Sequence, residues 1–285
     1  MKPYLLLILL CWSTAGLMAQ KRVAPTPEQV ERVVRTTTGV VLTGHNILLE
    51  AALRSAVEKK WTLTPVVFID TAEFNRHIAD ANRTFLLIVG GTFKDDDAQN
   101  GYTFLNLVMG GSLQLEKLAD FILWPITCKG QDEDQALLLM EAFVDIIQNH
   151  IRLLQQNPAL ARADMDTYNI YIPKLRDRTI LLAAEDLSAP IPDEEMQRFD
   201  GRLKIVDRTE IADAITDGRP NTVVGITLYP IDDRLKAPYC YTMLIACDNH
   251  ELLYFKRHKV RNPKQRGFLK EELRRITIPF KIAEP

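Results

Sequence analysis

The chain has 285 residues, 47% of them hydrophobic, and carries 35 Lys and Arg against 37 Asp and Glu, a formal charge of −2. That length suits one large domain or two smaller ones, and the apolar share excludes a chain too polar to bury a core. A balance this close to neutral gives bulk electrostatics no partner to select, and with an exported address it argues against nucleic acid.

The start reads as an export leader. Lys2 precedes an apolar run from Tyr4 to Trp12, and the small residues Ser13, Thr14, Ala15 and Gly16 follow, which places cleavage near Ala19 and a signal peptide at residues 1–19. The run is too short for a membrane-spanning helix. Leu9 and Leu10, ahead of Cys11, do not suit a lipid-anchor signal. A periplasmic or secreted protein is therefore expected. After cleavage Cys128, Cys240 and Cys247 remain, too few for a disulfide framework, and three buried thiols are expected.

Residues 20–38 read as a linker with a short helix. Thr26, Pro27 and Gln29 have the chemistry of a capping box with proline in the first turn. A first α/β repeat is assigned to residues 39–157. It opens with a strand at Val40-Val41-Leu42 and a helix from Ile47 to Trp61, whose Leu49, Ala52, Leu53, Ala56 and Val57 share one face. Val66 to Ile69 is a strand, and Pro65 before it marks a sheet edge or a strand start. Asp70 then caps a short helix, with Glu73 three residues on. Strands follow at Phe85 to Val89 and Tyr102 to Val108, around the polar Asp95-to-Gly101 turn, and again at Phe121 to Cys128. A long helix starts behind Asp132-Glu133-Asp134 and runs to about Gln156, where Pro158 ends it. Its wide apolar surface predicts burial on two sides, between the two halves of the chain.

Residues 158–177 are assigned as a linker that packs through Tyr168, Ile170, Tyr171 and Ile172. The second repeat, residues 178–285, gives a strand at Thr179 to Ala183, a helix at Asp193 to Phe199 and a strand at Leu203 to Val206. A capped helix to Thr216, a strand at Val223 to Leu228 and strands at Tyr239 to Cys247 and Leu252 to Arg257 follow. The expected ending is a helix from Lys264 to Arg275 and a closing strand from Ile276 to Ile282.

The second half repeats the first. Phe68-Ile69-Asp70-Thr71-Ala72-Glu73-Phe74 is echoed by Ile205-Val206-Asp207-Arg208-Thr209-Glu210-Ile211. The offset between matched positions moves from 137 (Asp70 to Asp207) to 138 (Thr84 to Thr222) to 139 (Tyr102 to Tyr241). Each half reads β-α-β-α-β-β-β-α, so the fold class is α/β or α+β, as two tandem related lobes with mixed sheets. The stretch from Leu203-Lys204-Ile205-Val206-Asp207-Arg208 through Val223-Val224-Gly225 resembles the α/β module of the Tol-system translocation protein's N-terminal domain and of curli-secretion lipoproteins. The first copy departs from that pattern, carrying Thr71 where the second has Arg208. The resemblance implies a non-catalytic envelope module that binds other proteins.

The residues support no catalytic, cofactor or metal site. His250-Glu251-Leu252-Leu253-Tyr254 has Tyr where a zinc-protease motif needs its second His, and it reads as a strand. Gly110-Gly111-Ser112-Leu113-Gln114 lacks the closing glycine of a nucleophile elbow. The Asp95-Asp96-Asp97 turn has Asn106 where a calcium loop needs a bidentate Glu. His45, His77 and His150 stand apart in sequence. The remaining feature is a basic stretch in which Arg257, Lys259, Arg261, Lys264, Arg266 and Lys270 form a candidate anion-binding face for an anionic lipid or glycan, or for an acidic envelope protein.

Three functions stay open. An exported, non-enzymatic interaction module leads. A solute-binding protein would show a pocket between the lobes, with apolar walls and a few convergent polar groups. A hydrolase would show a cleft with acids or histidines of shifted pKa. The groove between the lobes discriminates among them.

Overall fold

The structure, a computed structural model, describes residues 23–91, 101–231 and 238–276. The leader, the Asp95-Asp96-Asp97 turn and the closing strand beyond Ile276 lie outside these residues.

Helix α1 (Pro27–Arg32) opens with the expected capping box, Thr26 and Gln29 exchanging bonds with each other's backbone. The first lobe then runs β1 (Thr37–Val41), α2 (Ile47–Lys60), β2 (Val66–Ile69), α3 (Thr71–His77), β3 (Arg83–Gly91), β4 (Tyr102–Met109), β5 (Ala119–Cys128) and α4 (Asp134–Gln156). The second runs β6 (Thr179–Ala183), α5 (Asp193–Gln197), β7 (Leu203–Val206), α6 (Arg208–Thr216), β8 (Thr222–Leu228), β9 (Tyr239–Ala246), β10 (Leu252–Lys259) and α7 (Lys270–Ile276). The two sheets have one topology, β2-β1-β3-β4-β5 and, read from its other end, β7-β6-β8-β9-β10. In each, the first three strands are parallel and the last two antiparallel. The repeated Asp does the same work in both lobes. Asp70 accepts from the Glu73 amide and Asp207 from the Glu210 amide, each at 2.8 Å, at the N-terminus of α3 and α6. Strand β2 begins directly after Pro65 at a sheet edge, where a residue without an N–H costs no ladder bond.

Two boundaries differ for physical reasons. Strand β1 starts at Thr37, ahead of the expected Val40, because the Thr38 hydroxyl is satisfied by Thr64 at 2.6 Å and Thr84 at 2.8 Å and so can be buried. The helix expected from Lys264 to Arg275 forms only from Lys270. Asn262 caps a single tight turn at Pro263–Gln265, and Gly267 then bends the chain at φ +83°, where an added Cβ would meet the Asp186 carbonyl at 2.2 Å. Phe268 enters the second lobe's core, its amide donating to the Asp186 carbonyl at 2.7 Å. Ile276, expected to open a strand, lies in helix α7.

Helix α4 binds the lobes into one core. Its buried residues include Leu139, Met140, Phe143, Ile147, Ile151 and Leu154, and they share a cluster with β4 and β5 of the first lobe and with α6, β8 and β9 of the second. Trp124 of β5 packs on Phe143 at 6.0 Å between ring centroids and on Phe255 of β10 at 5.6 Å. Gln148 joins α4 to the end of α2, accepting from the Thr62 amide at 2.7 Å and donating to the Lys60 carbonyl at 2.9 Å. On the other side, His250 Nδ1 sits 2.8 Å from Asp145 Oδ2.

The stretch assigned as a linker is tightly wound. It forms tight turns at Pro158–Arg162 and Met165–Asp177, with Tyr168 and Ile172 buried. Ile170, expected to pack, is exposed instead. Asn169 closes the edge of β10, donating to the Phe255 carbonyl at 2.9 Å and accepting from its amide at 2.8 Å, as a neighbouring strand would.

The shared core gives a direct expectation. Phe143→Ala should cost about 3–5 kcal/mol, and both lobes should melt together. Tryptophan fluorescence, reporting Trp61 and Trp124 of the first lobe, should coincide with far-UV circular dichroism of the whole chain in urea. Separate transitions would show two independent cores.

Candidate functional site

In an open α/β sheet the strands' carboxyl ends form a crevice where successive crossovers leave in opposite directions. In the second lobe that point lies between β6 and β8, since β7 is on the far side of β6. A cavity of about 490 Å³ opens there, walled on the other side by the first lobe. Ile126 and Thr127 at the end of β5 and Leu138 and Leu139 of α4 face Ile211, Ala212 and Ile215 of α6 and Ile226, Thr227 and Leu228 of β8. The size is that of an ordinary small-molecule pocket.

A buried ion pair forms the second lobe's wall. Asp186, which follows β6, is wholly buried, and Arg208, first residue of α6, is two-fifths exposed. Arg208 Nη1 and Nη2 each donate to a different Asp186 oxygen at 2.8 Å, and Nε donates to Glu185 at 2.8 Å. The Thr227 hydroxyl also donates to Asp186. Burial pushes the Asp186 carboxyl up from the ordinary Asp range, with the Arg208 charge opposing it. Tyr229, half-buried beside the pair, is pushed up by burial and by the Asp186 charge.

The first lobe's wall carries two polar groups with nothing to bond. Thr127 Oγ1 and Gln135 Nε2 are buried and have no hydrogen-bond partner among the described residues. Thr127 is only 4% exposed. A bulge in β5, between the Thr103–Thr127 and Phe104–Pro125 pairs, sets its position at the cavity wall. The mouth carries Asp132, Asp134 and Glu185.

At the end of β1, the first lobe's counterpart of β6, a carboxylate meets the chain's own backbone. Glu50 of α2 turns its carboxylate onto the end of β1, accepting from the Thr43 amide at 3.0 Å, the Thr43 hydroxyl at 2.7 Å and the Gly44 amide at 2.9 Å. Burial alone would raise the Glu50 carboxyl, but those bonds overturn it and hold the group below the usual Glu range.

The six residues of the candidate anion-binding face have differing partners. Arg257 and Lys259 lie over the Tyr239 ring, at 4.7 and 5.7 Å from its centroid. Arg261 and Lys264 are exposed beyond the strand. Arg266 stacks over Tyr229 at 5.7 Å, beside the interlobe cavity. Lys270 pairs with Glu195 at 3.4 Å on the far side of the second sheet. The chain between β10 and Lys270 is a tight turn and an inward bend at Gly267 and Phe268, where a helix was expected.

The other singled-out residues lie outside the lining of the interlobe cavity. Ser112 accepts from the Gln114 amide at 3.1 Å in a turn, His45 is exposed, and His250 joins β10's hairpin to α4. Cys128, Cys240 and Cys247 are free and buried, and burial pushes the Cys128 and Cys247 thiols up to about 12. Among the described residues no group of three or more His, Cys, Asp or Glu could hold a metal ion, and no helix is long and apolar enough to cross a membrane. A second cavity of about 400 Å³ flanks the C-terminal half of α4, near Tyr168, Tyr171 and Glu251, but there Glu251 is already paired with Lys174. No protein-family model and no curated protein matches this chain.

Asp186, Thr127 and Gln135 escape sequence reasoning. The available signal was Arg208, a basic residue directly after a capping Asp, where the first copy has only Thr71. An unpaired buried hydroxyl weakens a fold, so Thr127→Val should raise unfolding free energy by about 1 kcal/mol in urea. A loss of similar size would mean that the hydroxyl is satisfied.

Proposed function

We propose that this chain is an exported, non-enzymatic binding protein that holds a small ligand in the cleft between its two lobes. The observation that carries the reading is the interlobe cavity, with largely apolar walls and a few polar residues, among them Asp132, Asp134 and Arg208, at the switch point of the second lobe. Binding is favoured over catalysis because the buried acid of the wall is already committed: Asp186 accepts from Arg208 and from Thr227, and Arg208 also bonds Glu185. The leader-like residues 1–19 support a periplasmic or secreted location, and the likeness of residues 203–225 to envelope modules agrees with it.

The test uses a neutral, apolar fluorophore, N-phenylnaphthylamine. Its emission should rise on adding the protein, and Ala212→Trp, which fills the cavity from α6, should abolish the rise while the far-UV spectrum is unchanged. No enhancement, or equal enhancement with the folded variant, would overturn the reading.

A further inference from the structure

The second cavity, about 400 Å³ beside α4, is built from both halves of the chain. Asn149 and Leu153, one turn apart on α4, line it together with Tyr171 of the 165–177 segment and Asn249, Glu251 and Leu252 of the β9–β10 hairpin. The hairpin is held there at a cost. His250 has a left-handed backbone, φ +54°, which a residue with a Cβ rarely adopts unless its surroundings enforce it. Its Nδ1 meets Asp145 of α4 at 2.8 Å, and that contact ties Asn249 and Glu251, on either side of His250, to the helix.

The polar groups of this cavity are accessible and still have bonds to give. Asn249 is exposed, and Asn149, Tyr171 and Glu251 are partly exposed. Asn149 Oδ1 accepts from Arg152 at 2.9 Å, and Asn249 Oδ1 accepts from the Glu251 amide at 3.0 Å. Among the described residues the two side-chain amide nitrogens and the Tyr171 hydroxyl have no protein partner. Lys174 pairs with one Glu251 oxygen and lies over the Tyr171 ring at 4.5 Å, so it offsets the carboxylate charge and steadies the ring. The other Glu251 oxygen is left as an acceptor.

This arrangement selects by charge and by polarity. An anion would be repelled by Glu251 and a cation by Lys174, unless their pair is broken. A hydrocarbon would strip water from four polar groups and return no bond. A small ring with hydroxyls around its edge and C–H groups on its faces meets both demands: hydroxyl oxygens accept from the two Asn amides, a hydroxyl donates to Glu251, and the C–H surface covers Leu153 and Tyr171. We infer that this cavity is a second binding site, for a small neutral sugar, independent of the interlobe cleft.

Isothermal titration with glucose, glucuronate and glucosamine tests this, because the three share a ring and differ in charge. Glucose should bind with a Kd of about millimolar order, and the two charged sugars about fivefold or more weaker. Tyr171→Phe and Asn149→Ala each remove one hydrogen bond, so each should weaken glucose about fivefold. Neither should change the far-UV spectrum or the N-phenylnaphthylamine signal. Ala212→Trp, which blocks the interlobe cleft, should leave glucose binding unchanged. The sugar assignment is overturned by absence of glucose binding, by a charged sugar binding as tightly, or by glucose binding that neither Tyr171→Phe nor Asn149→Ala weakens. Loss of glucose binding in folded Ala212→Trp would overturn the independence of the two sites. Glucose binding without any N-phenylnaphthylamine response would support this site and overturn only the interlobe reading.

Discussion

The two-sided burial of α4 is the constraint on which the rest of the molecule depends. A helix of 23 residues with apolar side chains around much of its circumference cannot rest on one sheet with the other side in water. The first sheet and α2 cover one side, and α6 and the second sheet cover the other, so two repeats that could have been separate beads share a core. The counterpart in the second lobe, α7, is described over only seven residues and packs on a smaller cluster. The same helix also makes the cleft. Near its N-terminus α4 leaves β5 and faces α6 across a gap that neither lobe closes.

The duplication is symmetric in its frame and asymmetric in its chemistry. Both lobes bring strand ends together at the same topological point. In the first, Glu50 satisfies the Thr43 and Gly44 amides at the end of β1. In the second, Arg208 replaces Thr71 and draws in Asp186, a pair whose desolvation cost makes it a poor source of stability. Thr127 and Gln135 add two unpaired polar groups across the gap. Other buried groups without a partner, such as Asn106 Oδ1 and Trp124 Nε1, lie away from the cavity, so what sets the crevice apart is the buried Asp186–Arg208 pair.

Much of the frame was legible in the sequence because it is local. Asp70 and Asp207 cap helices by bonds three residues long, Pro65 announces an edge, and Pro158 ends α4; each is read from neighbours alone. The order of elements in both lobes followed from such signals. What resisted reading depends on distant groups. The end of the chain fails to continue as a helix because Gly267 must pass the Asp186 carbonyl, a contact between residues far apart in sequence. The basic stretch was read as running into one helix, yet the helix begins only at Lys270, after the bend at Gly267 and Phe268. The cleft itself was anticipated only as a groove between lobes, since an orphaned hydroxyl such as Thr127 is identical in sequence to a satisfied one such as Thr38.

The central claim, that one cleft built by both lobes holds the ligand, is tested most directly by hydrogen exchange with and without a bound probe. With N-phenylnaphthylamine present, amides of residues 131–139 in the first lobe and 208–215 in the second should gain protection together. Protection confined to one lobe, or appearing instead around Asn149 and Leu153 beside the second cavity, would contradict the account.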